Sequence, residues 1–276
     1  VSMTVGYDFP EESSPKHRQE LETLMEDTQP EKESREYLQT FLGGLLEGGN
    51  TDELFHIFTG TGRNGKGVQA DLISVTLGSE GYEKEGGESK YPYVYPFEPA
   101  FLTCDRTKAS TPAPELMGAR LSRVLIGSEP EAGQKINSAF VKKISGNDAL
   151  SGRLLFSNDI ITYRPRFKLI LYCNGIPGMD QNDWAVWKRA RIVDFPTTFV
   201  DNPEKPNERK IDRKLKEKIL SNMNYRKEFM LMLIHWYKTL YLVKGLHNPP
   251  ESVLKATQAY QDESMPVAEY WRECIT

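Results

Sequence analysis

The chain has 276 residues, 38% of them hydrophobic, which is enough for one substantial core and a smaller appendage. No apolar run approaches the roughly 18 residues that cross a membrane, so the sequence predicts a soluble, intracellular globular protein. Three cysteines without a C-x-x-C pair and four scattered histidines argue against a disulfide framework and a zinc site. The net charge of −4 speaks against a stand-alone basic nucleic-acid binder, although a cleft or channel can still be locally positive.

The first fifty residues divide into two parts. Residues 1–30 are polar and charged, show no secretion signal and are predicted to be loose, and the abrupt start at Val1 is typical of a piece of a longer protein. An apolar stripe at helical spacing then predicts a helix that packs beneath the domain that follows. Its members are Tyr37, Leu38, Phe41, Leu42, Leu45 and Leu46. We assign residues 1–50 to a polar N-terminal segment with a helical region.

A glycine-rich stretch after a short apolar run is the most specific local signal. Residues 54–58 predict a strand, and the helical spacing of the later apolar residues predicts a helix. Between them, Gly60, Gly65 and Lys66 have the spacing of a phosphate-binding loop, whose backbone N–H groups close around phosphates while the lysine reaches the outer ones. The loop residues are Gly60, Thr61, Gly62, Arg63, Asn64, Gly65, Lys66, Gly67 and Val68. The pattern predicts a bound nucleoside triphosphate rather than a simple glycine-rich turn. Gly67 stands where such loops usually carry the hydroxyl that helps to hold Mg²⁺.

The organisation of residues 51–276 is predicted from the order of strand-type and helical sequence patterns. From residue 51 to about 200, short apolar strands alternate with helical patterns, which predicts an α/β core with a mostly parallel sheet. The predicted strands are 54–58, 121–127, 167–173 and 190–195. Glycines and charges between residues 78 and 90 indicate a surface loop, and 201–207 is typical of a linker. Beyond the linker the patterns are helical, so residues 201–276 are predicted to form a small C-terminal lid.

Two of the predicted strands end in polar side chains that suit a nucleotide site. Glu129 and Glu131 follow the second strand, where carboxylates can hold Mg²⁺ through water and polarise the attacking water. Asn174 follows the third strand, where its amide can orient that water. Each pattern also has a simpler explanation, because a Ser-Glu-Pro-Glu sequence can be a solvated turn and Asn-Gly is a common turn dipeptide.

A pair of arginines, Arg189 and Arg191, leads into the last predicted strand. Arginine stabilises the charge that develops on a transferred phosphoryl group. The same pair could equally form a salt-bridged edge of the sheet. The residues alone leave both interpretations open.

Five motifs follow one another in a recognisable order. They are Gly60-x-Gly62-x-Asn64-Gly65-Lys66, the segments 120–131, 140–148 and 164–174, and Trp187-Lys-Arg-x-Arg191. In this order the chain resembles superfamily 3 helicases. More narrowly, it is similar to the helicase part of phage, plasmid and large-DNA-virus primase-helicases of the poxvirus type. The resemblance spans about residues 37–270.

The resemblance implies an AAA+-like P-loop NTPase core with an N-terminal helical segment and a small C-terminal helical lid. It also implies a hexameric ring that uses ATP and Mg²⁺ to move along single-stranded DNA and to unwind forked duplex in a virus- or phage-infected cell. A primase domain in the same full-length protein is implied as well. By motif, Lys66 would contact the phosphates, Glu129 and Glu131 would serve Mg²⁺ and water activation, and Asn174 would be the sensor. Arg189 or Arg191 would act in trans on the ATP of a neighbouring subunit, and we favour Arg189 slightly.

Helicases of this type carry a segment that enters the central channel and grips DNA, and here it would span roughly residues 142–166. Apolar residues on either side of Ser157-Asn158-Asp159 predict a hairpin, whose tip lacks the lysine expected for holding phosphate. Contact would then come from Lys142, Lys143 and Arg153, or from the loop that holds Arg106 and Lys108. Each of these could instead be a solvated surface charge.

Two other functions compete with the helicase interpretation. A ring or scaffold that binds nucleotide only to assemble is favoured by Gly67, but Lys66 and Glu129 argue against it. A small-molecule kinase also uses a P-loop, although it has no need of the asparagine or of arginines that act in trans. For the helicase we expect Mg²⁺ dependence to persist, with a metal affinity weakened by the missing hydroxyl.

Overall fold

The computed structural model of the chain describes residues 4–10, 12–78, 93–98, 100–103, 113–128, 134–180 and 182–264. Its helices are α1 (Pro15–Thr28), α2 (Lys32–Gly44), α3 (Lys66–Leu77), α4 (Ala100–Thr103), α5 (Pro114–Gly118), α6 (Ser138–Ser145), α7 (Trp184–Arg189), α8 (Leu215–Ser221), α9 (Met223–Trp236), α10 (Leu242–Lys244) and α11 (Glu251–Glu263). Its strands are β1 (Phe55–Thr59), β2 (Val94–Phe97), β3 (Val124–Gly127), β4 (Leu150–Gly152), β5 (Ile161–Tyr163), β6 (Lys168–Tyr172), β7 (Ala190–Asp194), β8 (Thr198–Val200) and β9 (Glu208–Lys210). Within these ranges, no helix is both long and apolar enough to cross a bilayer.

Five parallel strands form the central sheet, in the order β2-β3-β6-β1-β7. The strand that precedes the glycine-rich loop, β1, lies between β6 and β7, so that Phe55 is opposite both Leu169 and Ala190. All four predicted strands are present, as β1, β3, β6 and β7. In this sheet the sequence prediction missed β2, which lies at the edge and contains Pro96; it also missed the small pair of β8 and β9. An edge strand tolerates proline because one of its sides needs no hydrogen-bond donor.

Helices cover both faces of the sheet, which explains why its strands are nearly continuous apolar runs. Successive residues of β1 point to opposite faces and enter two separate cores. Phe58 belongs to the core under α1, α2, α3 and α9, whereas Phe55 and Ile57 belong to the core under α4, α6, α7 and α11. The predicted α/β fold with a central, mostly parallel sheet and flanking helical segments is therefore confirmed.

The prediction of a loose N-terminal segment is wrong for residues 15–28. These residues form α1, which packs on α9 through Leu21, Leu24 and Met25. The backbone N–H of Ser14 donates to the buried Glu228 carboxylate at 2.7 Å and ties the start of the helix to α9. The apolar positions recur at helical spacing, but the many charges around them hide the stripe in the sequence.

The connection at 201–207 joins β8 to β9, so the prediction that everything beyond it is helical is wrong for Glu208–Lys210. From Leu215 onward the described residues form helices, as predicted. The last helix, α11, returns to the central sheet, where the Thr257 hydroxyl accepts a hydrogen bond from the Ile192 N–H of β7 at 3.1 Å. Tyr260 of α11 also packs edge-on against Trp187.

The division of the chain near residues 50 and 200 stays a prediction. The surface loop predicted at 78–90 lies, apart from Gly78, outside the described residues.

Candidate nucleotide site

The loop between β1 and α3 has the backbone that a phosphate-binding loop requires. Gly60, Gly62 and Gly65 have φ values of 145°, 90° and 85°, and Arg63 also lies in the left-handed region at 50°. A Cβ atom on Gly60 would lie 2.7 Å from the Phe195 carbonyl oxygen, so only glycine fits there. The loop ends at the first turn of α3, where N–H groups that have no acceptor within the helix, together with the helix dipole, favour an anion. This backbone fits a triphosphate.

Lys66, the first residue of α3, reaches back across the loop. Its Nζ donates to the Gly60 carbonyl at 2.8 Å and to the Asn174 Oδ1 at 3.2 Å. Asn174 follows β6, the neighbour of β1, and parallel strands bring their C-terminal ends to one edge of a sheet. The structure therefore brings together the predicted lysine and asparagine, which are 108 residues apart in the chain.

The predicted metal ligands, Glu129 and Glu131, lie outside the described residues. Strand β3, which leads to them, pairs with β6 and ends at Gly127. Within the part of the chain that the structure describes, no group of three or more acidic, histidine or cysteine side chains is placed to hold a metal ion. A Cβ atom built on Gly67 has no atom within 4 Å, so the position has room for the hydroxyl side chain that it lacks.

A carboxylate that the sequence reasoning missed, Asp194, lies beside the loop. It is the last residue of β7 and is opposite Thr59, immediately before the loop begins. Burial raises the pKa of its carboxyl group, while the Phe195 N–H and the positive charge of Lys66 oppose that rise. Asp194 falls inside the predicted strand 190–195, so its place at the strand end was the signal that could have identified it.

A cavity of about 590 Å³ adjoins the loop on the side of α1. The loop residues Arg63, Gly65 and Val68 form one wall. Residues from α1, β8, α8 and the segment before α8 form the others, including Thr23, Leu24, Asp27, Phe199, Ile211 and Leu215. A Cβ atom on Gly65 would lie 2.5 Å from the Thr28 methyl carbon, which shows how closely α1 approaches the loop. The N-terminal helix, the core and the C-terminal part thus contribute to one pocket.

The two candidate arginines lie at the opposite end of β7 from Asp194. The Nη1 of Arg191 donates to the carbonyls of Lys188 and Ala190 at 2.9 and 2.8 Å, which caps the end of α7. The Nη2 of Arg189 donates instead to the Glu53 Oε2 at 2.7 Å. The ends of β7 are roughly 13 Å apart, so neither guanidinium is beside the phosphate loop of its own chain.

Arg191 belongs to a buried polar cluster under α2. Burial, followed by the charges of Arg191 and Lys168, holds the pKa of His56 well below its usual value, so this imidazole is neutral. Its Nε2 lies 3.0 Å from the Tyr37 hydroxyl. The Lys168 ammonium donates to the Gly49 carbonyl at 2.9 Å. These contacts place Arg191 beside a structural cluster, whereas Arg189, which is buried to a similar degree, pairs with Glu53.

The predicted hairpin is confirmed as the antiparallel pair β4 and β5, in which Ser151 is opposite Thr162. Its tip exposes apolar side chains, and the ring of Phe156, at φ 59°, is fully exposed. The Nη1 of Arg153 donates to the Ser157 carbonyl at 2.9 Å and so braces the tip from within.

Two other predicted DNA contacts, Lys142 and Lys143, lie next to each other on α6. Lys142 forms an ion pair with Asp183 at 2.6 Å, whereas Lys143 is exposed on α6. Arg106 and Lys108 lie outside the described residues.

The topology defines a class. A five-stranded parallel sheet in which a glycine-rich loop follows the second strand from one edge, and a polar residue follows the strand beside it, has an AAA+-like α/β fold. No protein-family model matches the chain. Among solved structures, the A form of the apo NrS-1 C-terminal region aligns with a TM-score of 0.65 and 12% identity, covering 97% of this chain and 55% of the other. At that identity the likeness supports the fold alone.

Curated relatives come from large DNA viruses. "Putative helicase L207/L206" of Acanthamoeba polyphaga mimivirus is 30% identical over 231 residues, covering 80% of this chain and 22% of the relative. "Putative helicase 022R" of Frog virus 3 is 29% identical over 248 residues, covering 85% and 23%. "Primase D5" of Fowlpox virus is 28% identical over 233 residues, covering 79% and 27%. The chain is homologous to a segment of these proteins that amounts to about a quarter of their length. The resemblance to viral helicases and primase-helicases is confirmed.

Proposed function

We propose that this chain is the motor domain of a superfamily 3 DNA helicase, which hydrolyses ATP at subunit interfaces of a hexameric ring and moves along single-stranded DNA. The observation that carries the proposal is the hydrogen bond between the Lys66 Nζ and the Asn174 Oδ1 at the mouth of the glycine loop. It joins a phosphate-binding cation to an amide that can orient water, and both belong to the motor type of P-loop enzyme. The viral relatives named as helicases support the same function.

The residues around the loop fit ATP and Mg²⁺. The loop N–H groups and Lys66 would hold the β- and γ-phosphates, and Asn174 would orient the attacking water. Bound Mg²⁺ would neutralise phosphate charge, and Glu129 and Glu131 would hold it through water. Because Lys66 already contacts the Asn174 amide, an arriving phosphate would replace that contact and leave the amide for water.

We assign the nucleoside end of ATP to the cavity beside the loop. Its volume of about 590 Å³ lies within the usual range for small-ligand pockets, and it shares Gly65 and Val68 with the loop. Phe199 from β8 offers an aromatic face to a base. Since α1 and the segment before α8 form the other walls, bound nucleotide would hold these parts together.

Arg189 is the arginine that we assign to the neighbouring subunit's ATP. It is remote from the loop of its own chain, and its side chain is about a quarter exposed. The Nη1 of Arg191, in contrast, already donates hydrogen bonds to two carbonyls at the end of α7. An arginine supplied in trans can raise the hydrolysis rate by about 10³ to 10⁵.

The hairpin of β4 and β5 is the proposed DNA contact. With a fully exposed Phe156 and no lysine at its tip, it would grip DNA by stacking on unpaired bases more than by pairing with phosphates. Single-stranded or forked DNA is therefore the expected partner. The fowlpox relative is named a primase, so a primase domain elsewhere in the full-length protein is part of the proposal.

DNA-stimulated ATP hydrolysis tests this function. The wild-type chain should release inorganic phosphate faster when single-stranded DNA is present, and Lys66→Ala should abolish the release. Glu129→Gln should lose turnover while it retains ATP binding. Unchanged turnover in Glu129→Gln would remove the hydrolytic role of that strand, and transfer of phosphate to a metabolite would favour a kinase.

A further inference from the structure

The strongest unassigned contact lies on the edge of the sheet opposite the glycine loop. There the Nη2 of Arg189, at the end of α7, donates to the Glu53 Oε2 at 2.7 Å. Arg189 is 24% exposed and Glu53 46% exposed. The pair is part-buried, so the Glu53 carboxylate can fix the position of the Arg189 guanidinium.

The loop that carries Glu53 has a strained, fixed backbone. Glu53 has φ 55°, in the left-handed region, and its N–H donates to the Asn50 carbonyl at 2.9 Å. Asn50 is buried, and its Nδ2 donates to the carbonyls of Leu54 and Ser145 at 2.8 and 3.0 Å. These bonds fix the loop between β1 and the end of α6. A non-glycine residue in the left-handed region persists only where its surroundings demand it.

The same end of α6 also shapes the space around Arg189. The Nδ2 of Asn147 donates to the Asn50 carbonyl at 2.9 Å, which joins the turn after α6 to the Glu53 loop. A Cβ atom on Gly146 would lie 3.4 Å from the Arg189 Nη2 and 2.8 Å from the Lys142 carbonyl. The guanidinium thus lies against a backbone that leaves no room for a side chain at residue 146.

A second ion pair fixes the other end of α7. The Lys142 Nζ lies 2.6 Å from the Asp183 carboxylate, which also caps α7 through the Val186 N–H. Burial would raise the pKa of Asp183, but the Lys142 bond and charge lower it overall, so the pair stays ionised at neutral pH. The short helix is therefore held at its start by α6 and at its end by Glu53.

We propose that Glu53 is a positioning residue that presents the Arg189 guanidinium to the nucleotide of the neighbouring subunit. The carboxylate accepts a hydrogen bond from the Nη2 of Arg189. Because the Arg189 Nε is buried, the Nη groups are the donors left for phosphate oxygens. This inference rests on the proposed ATPase. It adds that the arginine is oriented by its own subunit before the neighbour's nucleotide arrives. Misplacing a reacting group by about 1 Å can cost about 100-fold in rate.

Glu53→Gly is the best probe, because glycine accepts φ 55° and removes only the side chain. For Glu53→Gly we expect kcat for DNA-stimulated ATP hydrolysis to fall at least about 10-fold, with an unchanged KM for ATP. In Glu53→Gln the same kcat should fall less. In the Arg189→Ala background, Glu53→Gly should cause no further loss, because the positioned group is gone. Glu251→Ala, which breaks the exposed Lys255 pair on α11, is the matched control and should resemble the wild type.

Mixed assemblies separate positioning from a folding defect. Lys66→Ala subunits should restore turnover to Arg189→Ala subunits, since each supplies what the other lacks. Lys66→Ala subunits that also carry Glu53→Gly should restore it about 10-fold less well. Equal rescue by both, or wild-type turnover in Glu53→Gly, would overturn the role of Glu53 and leave the ATPase intact. Turnover that survives Lys66→Ala alone would instead overturn the proposed function.

Discussion

Gly67→Ser places a hydroxyl where phosphate-binding loops usually carry one. The new Cβ meets no atom within 4 Å, and residue 67 lies in the first turn of α3. Serine should therefore enter without disturbing the loop. It should raise stability slightly, because serine costs a helix roughly 0.4 kcal/mol less than glycine does.

The expected effect on metal binding follows from one added oxygen ligand. If the hydroxyl replaces a water on Mg²⁺, a net gain of about 1 kcal/mol corresponds to a roughly fivefold lower half-saturating Mg²⁺ concentration. Steady-state ATP hydrolysis, measured against Mg²⁺ concentration at saturating ATP, gives this value directly.

Gly67→Ala is the matched control, because it gains helix propensity without a hydroxyl. It should raise stability by about 1 kcal/mol and leave the Mg²⁺ midpoint at the wild-type value. Equal midpoints for the serine, alanine and wild-type proteins would refute the reasoning that Gly67 weakens the metal site.

Three further outcomes are expected. Phe156→Ala should weaken binding of single-stranded DNA by about 1–3 kcal/mol in a fluorescence anisotropy titration, without changing the salt dependence of binding. Leu242→Ala, which removes an exposed apolar side chain on α10, should leave DNA binding unchanged. A weaker salt dependence in Phe156→Ala would contradict stacking. Phe199→Ala should raise the Kd for ATP several-fold but not that for inorganic tripolyphosphate, and equal losses for both ligands would place the base elsewhere. By nitrogen NMR, the His56 ring should stay neutral well below pH 6.5, because burial first and then the charges of Arg191 and Lys168 depress its pKa. The unfolded chain binds a proton there below about pH 6.5 and the folded chain does not, so stability should fall on acidification; a folded-state midpoint near 6.5 would contradict this.

The proximity of Lys66 and Asn174 is predictable from the sequence, for a physical reason. A strand, a glycine loop and a helix are local patterns, and parallel strands bring their C-terminal ends to one edge. The contact between Lys66 and Asn174 follows from those two facts. The left-handed backbone at Gly62 and Gly65 is equally local, since only glycine adopts it without strain.

What the sequence does not predict depends on tertiary packing. The apolar stripe of α1 is short and surrounded by charges, so its place beside the loop becomes evident only when α9 covers it. Glu53 pairs with an arginine 136 residues away, and no spacing rule links the two. The apolar residues before Ser157 are typical of a strand, yet Phe156 lies at the exposed tip because the hairpin of β4 and β5 turns there.

Strand displacement on a forked duplex tests the central claim most directly. Wild-type protein with ATP and Mg²⁺ should separate a labelled strand, and Lys66→Ala, which removes the cation bound to Gly60 and Asn174, should not. Strand separation that proceeds equally well without ATP or with Lys66→Ala would contradict an ATP-driven helicase built on this loop.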